Sequence, residues 1–463
     1  MRELAGHVAA GVVGAVVLLV LGWGGRLTAL QRAGLCAFAA GLAWAGPQRA
    51  LGRPLGLGDL LMIVGVAVYL GAVYGRALMT HADKLDGTED GKVDLRKVGL
   101  AVAAPVIAII ASLLITSVIL LATGDPVGAV WAQFFKAPLP RQVIAILNEA
   151  TVLYLSAIAV AIGFRMNLFN IGVDGQYRIA SFAAAVFAGQ HWLPGWLNII
   201  VALLVAIASG AIWASIAGLL KVGRGVSEVI STIMLNYIAT YLVAYMLKGA
   251  AVKVEGSNAT STRVLQEDSR VPGISLDGVI ATPDKVYGLI VLAILVGFAY
   301  WWVLGKTRFG FDLRATGRSE TAAVASGVKV KRMVLLSMVI SGGAAGLVGM
   351  PLLFGQDYAY GDTVQSGLGF AGIAVALLGR NNPVGIAFAA VLWGYLNQLS
   401  NGLQISAGVS DRLVLIIQGI IVLSVVIAYE LVRRAGLQME QRRVAAQLAA
   451  QRHARPEAKG VSA

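Results

Sequence analysis

The sequence is poor in charge. Only 13% of its 463 residues are Asp, Glu, Lys or Arg, whereas 58% are hydrophobic. Soluble domains carry about 25% charged residues. The hydrophobic residues gather in runs long enough to cross the hydrocarbon core of a bilayer as helices. The composition therefore excludes an ordinary soluble domain and predicts an all-α polytopic integral membrane protein.

Cysteine and histidine are almost missing. Cys36 is the single cysteine, which excludes an intrachain disulfide and a thiolate metal site. The four histidines are scattered without ligand spacing, so no metal site is expected. There is no Ser/His/Asp set and no carboxylate pair at catalytic spacing. The sequence GKT at 305–307 lacks the earlier glycine of a phosphate-binding loop, because Tyr300 occupies that position. We therefore expect neither an enzyme nor a resident cofactor.

Apolar runs divide the chain into three parts. An N-terminal extension, 1–97, holds three candidate spans and a polar linker. The core, 98–431, holds ten candidate spans, and a basic tail, 432–463, follows. The candidate spans of the extension and then of the core are 8–24, 33–46, 59–75, 98–122, 144–164, 175–190, 197–220, 228–248, 286–304, 334–354, 366–380, 384–401 and 412–431.

One polar segment sets the predicted orientation. Residues 305–332 carry seven basic and two acidic residues, and short loops rich in Lys and Arg stay in the cytoplasm. Alternation then places the loop 249–285 outside and the C-terminal tail inside. Of the net charge of +13, nine charges lie in this segment and the tail, where they face anionic lipid. We therefore expect a bilayer, and no nucleic acid, as the partner of these charges.

The same segment predicts a short helix. Ser319 is suited to cap it, Glu320 is favourable in its first turn, and Gly327 is free to end it. A small cytoplasmic helix held between two spans is suited to transmitting a push. An ordinary solvated loop is the alternative, because a basic charge run by itself favours a solvated surface.

Two four-span blocks, 144–248 and 334–431, are alike in spacing. We predict that they are inverted repeats with a pathway at their interface. Each has a Gly-rich polar entry to its second span, NLFNIGVDGQY at 167–177 and GDTVQSGLGF at 361–370. Irregular backbone at membrane depth is tolerated only when it is buried or lines a cavity, so these breaks indicate a pathway. The alternative is a turn at the membrane surface, with Asp174 capping the next helix.

Polar and aromatic side chains in and near the breaks are the candidates for a substrate pathway. They are Asn167, Asn170, Asp174, Gln176, Asn236, Tyr237 and Phe370. Interhelical hydrogen bonding is the alternative for Asn236, and packing is the alternative for the aromatic rings. Glu149 lies near the outer end of its predicted span and is interpreted as a solvated residue.

Several segments, in this order, resemble those of an ABC-transporter permease subunit. They are FNIGVDGQY (169–177), GVSEVISTIMLNYIA (225–239), LRATGRSETAAVASGV (313–328), SGGAAGLVG (341–349) and GLGFAGIAVALLGRNNPVG (367–385). The resemblance is to the branched-chain amino acid and simple-sugar permease family. Within it, the chain is most similar to nucleoside-type permeases that work with basic-membrane-protein lipoproteins. Sugar permeases usually carry a Gly-x-Asp-Leu-Ser-Val-Gly form where this chain has Gly172-Val-Asp-Gly-Gln176, which favours nucleosides.

The resemblance implies an architecture and partners. It implies a ten-span importer core of two inverted halves in the bacterial inner membrane, with a cytoplasmic C-terminus and without a cofactor. It also implies a separate nucleotide-binding subunit, a second permease that is related or identical, and a substrate-binding lipoprotein outside. The segment 305–333 would dock on the nucleotide-binding subunit. The residues expected to couple it to ATP hydrolysis are Arg314, Gly317, Arg318, Ser319, Glu320, Ala323, Val324 and Gly327.

The predicted function is therefore ATP-driven uptake of nucleosides or a related small sugar-like solute. Two alternatives stay open at this point. An ABC permease for simple sugars such as ribose would have the same architecture. An ion-coupled secondary transporter would need buried carboxylates, and few acids lie within the spans.

Overall fold

A computed structural model describes residues 95–134, 136–250, 252–253, 260–276, 282–361, 366–407 and 411–454. The predicted N-terminal extension lies outside these residues, except for 95–97. The chain forms two compact units. One comprises Met1–Gly128 with Gly419–Ala463, and the other is Ala129–Gln418.

The described chain is almost entirely helical. Its helices are α1 (Leu95–Thr123), α2 (Val127–Phe134), α3 (Pro140–Arg165), α4 (Val173–Gly189), α5 (Gly195–Arg224), α6 (Glu228–Ala250), α7 (Ile290–Lys306), α8 (Arg308–Arg318), α9 (Glu320–Ala325), α10 (Val330–Gly346), α11 (Met350–Leu352), α12 (Leu368–Leu378), α13 (Pro383–Ala407) and α14 (Asp411–Ala454). A π-helical turn, Leu353–Asp357, follows α11, and a 3₁₀ turn, Glu267–Ser269, lies in the loop after α6.

A helix lies at the position of each of the ten predicted core spans. Among the described residues, five helices are long and apolar enough to cross a membrane, or six if α7 and α8, which meet at a 73° bend, count as one span. The chain is therefore a multi-pass α-helical membrane protein. The count of ten spans stays a prediction, since α12, for example, has only 11 residues.

The structure adds helix where the sequence suggested polar segments. Helix α14 continues without interruption from the last predicted span into the predicted tail, as far as Ala454. The segment 305–333 holds two helices rather than one, since α8 precedes the expected short helix α9. Helix α8 was not predicted because its mean composition is polar and Gly310 and Gly317 interrupt its pattern.

Small residues bring α5 and α10 into backbone contact. A Cβ atom on Gly210 of α5 would lie 2.3 Å from the carbonyl oxygen of Gly342, and one on Gly346 would lie 2.2 Å from the carbonyl oxygen of Ala206. Gly342 and Gly346 are four residues apart, as are Ala206 and Gly210, so each helix presents a stripe of small residues. In a membrane, such stripes allow close packing where no hydrophobic force drives association.

The loop after α6 folds into two short antiparallel ribbons. Strand β1 (Val252–Lys253) pairs with β2 (Thr260–Ser261), and β3 (Ile274–Ser275) pairs with β4 (Lys285–Val286). The loop is tied to the start of α3, because Asn148 donates to the carbonyl of Lys285 at 3.1 Å and accepts from the backbone nitrogen of Tyr287 at 2.8 Å. The described parts of this polar loop thus pack at one end of the helices.

Candidate functional site

The first break separates α3 from α4 and spans residues 166–172. Asn167 takes a left-handed conformation with φ of 59°, which Asn tolerates better than most residues. The backbone nitrogen of Leu168 then returns to the carbonyl of Gly163 at 3.0 Å. Residues Gly172 to Gln176 are all buried. Within the break itself, Leu168 and Asn170 are buried, whereas Asn167 and Phe169 are exposed, so the protein encloses the break only in part.

A network of side-chain amides satisfies the polar groups of this break. Asn170 and Gln176 exchange two hydrogen bonds, at 3.0 and 2.9 Å. Asn170 also accepts from the backbone nitrogen of Gly172 at 3.1 Å and donates to the hydroxyl of Ser341 at 2.8 Å. The Ser341 hydroxyl in turn donates to the carbonyl of Ala159 at 2.6 Å. Buried polar groups need such partners, and here they join the break to α10 and α3.

Asn236 joins α6 to the same break. Its side chain accepts from the backbone nitrogen of Gly175 at 2.8 Å and donates to the carbonyl of Ile171 at 2.9 Å. A Cβ atom on Gly175 would lie 2.9 Å from the Cα of Asn236, so glycine is required for this approach. Asn236 therefore makes interhelical hydrogen bonds, as the alternative expected, and these same bonds place it beside the break.

The second break precedes α12. Gly367 has a positive φ of 84°, a conformation that favours glycine, and the helix starts at the next residue. Asp174 Oδ1 accepts from the backbone nitrogens of Gly367 at 2.9 Å and Gly369 at 3.3 Å. Asp174 is in the first turn of α4. One carboxylate thus serves two helix N-termini, which carry partial positive charge.

We call the meeting point of the α4 and α12 N-termini the junction. The expectation that Asp174 caps the next helix is wrong, because its side chain caps α12, about 190 residues further along the chain. Contact at the junction is close. A Cβ on Gly369 would lie 2.3 Å from the nitrogen of Asp174, and one on Gly372 would lie 2.1 Å from the hydroxyl of Ser156. Gly369 and Gly372 are therefore needed for close approach, whereas Gly367 is needed for its positive φ.

Arg178 balances the charge of the junction. Its Nε donates to Asp174 Oδ2 at 3.1 Å, and the two side chains are only 15% and 9% exposed. A buried carboxylate needs such compensation. Sequence reasoning missed Arg178, although its spacing of four residues from Asp174 on a helix was a usable signal.

Two serines complete the junction and were also missed. Ser341 contacts Asn170, and the hydroxyl of Ser156 donates to the carbonyl of Leu368 at 2.8 Å. Ser341 lies within the motif SGGAAGLVG, which was a usable signal. Ser156 sits alone in an apolar span, and nothing in the sequence distinguishes it from a structural serine.

The candidate pathway residues fall into two groups. The buried group, which meets at the junction, comprises Asn170, Asp174, Gln176 and Asn236. Asn167, Tyr237 and Phe370 are exposed, with Tyr237 62% and Phe370 52% accessible. They lie close in sequence to the junction, but their side chains project from the helices.

Glu149 is not a simply solvated residue. Its carboxylate accepts a hydrogen bond from the side-chain amide of Asn397, which joins α3 to α13.

The coupling segment contacts the end of α3 next to the first break. A Cβ on Gly317 of α8 would lie 2.6 Å from the carbonyl oxygen of Arg165. The next helix, α9, starts at a cap in which Ser319 Oγ accepts from the nitrogen of Ala322 at 3.3 Å, and Gly327 follows its end with φ of 80°. The predicted cap and terminator thus have the expected geometry. Ala323 is buried, whereas Val324 is 61% exposed.

Cationic groups gather at this end of the helices. Arg165 Nη2 donates to the carbonyl of Asn381 at 2.7 Å, and the Tyr300 hydroxyl donates to the same carbonyl at 2.7 Å. Partial burial, with the nearby charges of Arg165 and Arg318, lowers the pKa of Arg314 below its usual range. Among the described residues there is no group of three or more side chains that could bind a metal ion.

Comparisons with known proteins place these features in a family. The family described as "Branched-chain amino acid transport system / permease component" matches residues 142–426, which is more than half of the chain. The chain is 35% identical over 329 residues to the guanosine ABC transporter permease protein NupP of Bacillus subtilis, covering 70% of this chain and 93% of that protein.

Two further relatives have different named solutes. The nucleoside ABC transporter permease protein NupB of Lactococcus lactis is 30% identical over 337 residues, covering 71% of this chain and 91% of that protein. A glucose ABC transporter permease protein of Haloferax volcanii is 29% identical over 351 residues, covering 74% and 92%. The chain therefore belongs to the branched-chain amino acid transport permease family, as the membrane-spanning subunit of an ABC transporter that relies on a separate ATPase and is not itself an enzyme.

Proposed function

We propose that this permease imports nucleosides across the bacterial inner membrane. The observation that carries the proposal is the similarity to the guanosine permease, which extends over 93% of that relative. The match to the family covers residues 142–426, a range that includes both breaks and the coupling segment. Membership of an ABC permease family also argues against the ion-coupled alternative, because the energy then comes from ATP on another subunit.

In this proposal, the junction is the fixed centre of the pathway. Its buried side chains hold the two half-spans together and have their hydrogen-bonding groups occupied. Asn170 and Gln176 bond to each other. Asn236 bonds to the backbone of the first break, and Asp174 bonds to Arg178 and to the backbone of the second break. The exposed neighbours, Asn167, Tyr237 and Phe370, would contact the solute. Their amide and aromatic rings are suited to a nucleoside, which offers hydrogen-bonding groups and a planar base.

The coupling segment would transmit the closure of the ATPase. Val324 and Glu320 project from α9 to meet the partner, and Ala323 anchors the helix on the permease side. Gly317 lets α8 press directly on the end of α3 at Arg165, next to the start of the first break. A push on α9 would thus reach the junction through α8 and α3. The conformation and charge of this segment would depend on Arg314, Arg318, Ser319 and Gly327.

The grouping of loops supports the proposed orientation. Arg165, Gly317 and Asn381, which the alternation places in the cytoplasm, lie together, and Tyr300, from the cytoplasmic end of the predicted span 286–304, joins them. Loops predicted to be outside also contact one another. For example, the backbone nitrogen of Tyr360 donates to the hydroxyl of Thr262 at 3.0 Å. A lipid-anchored binding protein would deliver the solute to the outer loops. The C-terminal end of α14 would be cytoplasmic.

The remaining parts of the proposal concern assembly. The permease would pair with a second one, identical or related, and the two inverted halves of the ten-span core would alternate around the junction. The extension 1–97 would bind lipid or a partner. The tail 432–463 would lie against anionic lipid on the cytoplasmic side.

Reconstitution tests the proposed function. The complete transporter, with its ATPase, partner permease and binding lipoprotein, is placed in vesicles, and uptake of radiolabelled guanosine is measured with and without ATP. We expect uptake only with ATP and with the ATPase subunit present. Uptake that persists without either would reject the ATP-driven mechanism.

Simple sugars are the second candidate, favoured by the glucose-permease relative. Competition separates the two candidates in the same vesicles. Excess unlabelled nucleoside should suppress guanosine uptake, whereas excess ribose or glucose should not. Uptake of a labelled sugar but not of guanosine would replace the nucleoside proposal with the sugar one.

A further inference from the structure

The loop after α6 forms a pocket of about 450 Å³, which we call the outer vestibule. Its walls are the loop around Glu267 and Arg270, strand β4, and the π-helical turn with Tyr358 after it. Small-molecule sites typically have volumes of about 300–1,000 Å³. The vestibule lies before the start of α7, whereas the coupling segment begins at the other end of that 17-residue helix. The two are thus separated by roughly 25 Å of helix.

Backbone hydrogen bonds hold the vestibule in shape. The nitrogen of Leu265 donates to the carbonyl of Tyr358 at 2.7 Å, and the nitrogen of Val271 donates to the carbonyl of Phe354 at 3.0 Å. On the opposite wall, the side chain of Tyr287 is largely buried and its hydroxyl bonds to Gln356. The backbone that carries the lining side chains is therefore held in place before any ligand arrives, which lowers the cost of binding.

The chemistry of the lining suits a planar polar ring. The Arg270 guanidinium lies 4.4 Å from the centre of the Tyr358 ring, and its Nε donates to the carbonyl of Leu265 at 3.1 Å. The flat, cationic guanidinium group therefore packs on the aromatic ring of Tyr358. Glu267 and Lys285 add an acceptor and donors at the same pocket. Bases stack on aromatic and guanidinium planes and hydrogen-bond to polar groups beside them.

The π-helical turn connects the vestibule with the junction. Gly355 within the turn, and Tyr358 after it, line the vestibule. Leu353 and Asp357 of the same turn line a second, water-sized cavity of about 20 Å³, together with Tyr177 of α4 and Leu368 of α12. One turn thus forms the partition between the two spaces. π-Helical turns are rare and occur frequently at functional sites.

Backbone strain is found next to the π turn that forms this partition. Tyr358 has a positive φ of 51°, which is uncommon for a residue with a side chain. The conformation directs the chain out of the π turn, and the Tyr358 hydroxyl donates to the carbonyl of Gly355 at 3.2 Å. Strain of this kind persists where the surrounding structure holds a side chain in place.

We propose that the outer vestibule is a binding site for the planar base of the transported solute, which it occupies before passing the π turn to the junction. The proposal rests on the proposed nucleoside function. It favours the solute over a docking protein because the turn that forms its floor also borders the junction cavity, so the site is in line with the pathway.

Binding without the lipoprotein tests the vestibule directly. Saturation-transfer NMR with guanosine is recorded on the purified complex of both permeases and the ATPase, without ATP. We expect saturation of the base protons and a dissociation constant that rises about tenfold in Tyr358→Leu and in Arg270→Met. Tyr358→Phe keeps the ring and should bind as the wild type does. Arg263→Met, in the same loop but outside the vestibule, is the matched control.

The outcomes separate this proposal from the proposed function. If the wild-type complex takes up guanosine in vesicles but Tyr358→Leu and Arg270→Met bind it within twofold of the wild type, the vestibule proposal fails alone. Absence of saturation transfer in the wild type also overturns it. If both variants melt earlier than the Arg263→Met control and Tyr358→Phe shares the defect, the residues are structural and the proposal is again wrong. Absence of guanosine uptake by the wild type overturns the proposed function.

Discussion

The two breaks provide hydrogen-bond partners for their polar groups in different ways. The first break brings its own polar side chains, because Asn170 and Gln176 bond to each other and to the backbone beside them. The described residues at the entry to α12 offer backbone donors and glycines instead, and they depend on Asp174 of the first half for an acceptor. The second half-span is therefore positioned by the first.

This asymmetry indicates where a change would do the most harm. A substitution within the amide network disturbs one break and its neighbours. A substitution of Asp174 disturbs both halves, since the same carboxylate also neutralises Arg178. The following variants test this difference, in order of expected effect on the free energy of unfolding.

Asp174→Ala should have the largest effect. It removes the acceptor of Gly367 and Gly369 and leaves the guanidinium of Arg178 largely buried without its carboxylate. Breaking a buried ion pair costs about 3 kcal/mol or more. We expect this loss in the free energy of unfolding in detergent, together with loss of uptake. Asp174→Asn keeps an acceptor oxygen and should be less harmful, and equal damage in both would show that charge, rather than capping, dominates.

Gly369→Ala should come next. Its Cβ would be placed 2.3 Å from a backbone nitrogen of α4, and backbone cannot move aside as a flexible side chain can. Overpacking of this kind costs about 2–3 kcal/mol.

Gly223→Ala is the matched control, since a Cβ there meets nothing within 4 Å. Calorimetric melting of the two variants gives the comparison. Equal stability of both would mean that α4 and α12 are not in close contact.

Asn170→Ala should have a smaller effect that is confined to the first break. It removes the bonds to Gln176, Ser341 and the nitrogen of Gly172. At about 0.6 kcal/mol for each hydrogen bond within a membrane, the expected loss is about 2 kcal/mol.

Crosslinking between cysteines introduced in α4 and α12 reports the geometry of the junction in this variant. We expect the crosslink to form as in the parent, whereas Asp174→Ala should weaken it. A crosslink lost equally in both variants would contradict the proposed asymmetry.

Val324→Glu should leave stability almost unchanged. The side chain is exposed on α9, and substitutions at exposed positions change the free energy of unfolding by about 0.5 kcal/mol or less. We nevertheless expect it to abolish stimulation of the ATPase by the permease, because a charge would replace the apolar contact. Val324→Ile is the control. Normal ATPase stimulation in Val324→Glu would disprove the coupling role of α9.

Much of the fold followed from local pattern. The apolar runs placed a helix at each core position, because segments this long and apolar have to satisfy their backbone internally. The cap at Ser319 and the terminator at Gly327 could also be predicted, since capping depends on neighbouring residues alone. Helix α8 and the extension of the last span to Ala454 could not be predicted, because their composition is as polar as that of a loop.

Only part of the candidate site could be predicted from the sequence. The residues of the buried group were chosen from their polarity beside glycines, and they do meet. Ser156 and the vestibule around Arg270 were not identified, because their roles depend on partners distant in the chain. Arg178 was also missed, although its partner Asp174 is only four residues away.

The sequence by itself determined that this protein is a membrane permease, where its helices lie, and where they break. Only the tertiary structure decided that the side chain of Asp174, in the first turn of α4, makes its capping hydrogen bonds to α12. It also decided that a single π turn divides a vestibule from the junction. The reason is physical. Hydrophobicity and capping act between near neighbours, whereas the partner of a buried polar group is set by which distant segments the packed helices bring within hydrogen-bond distance.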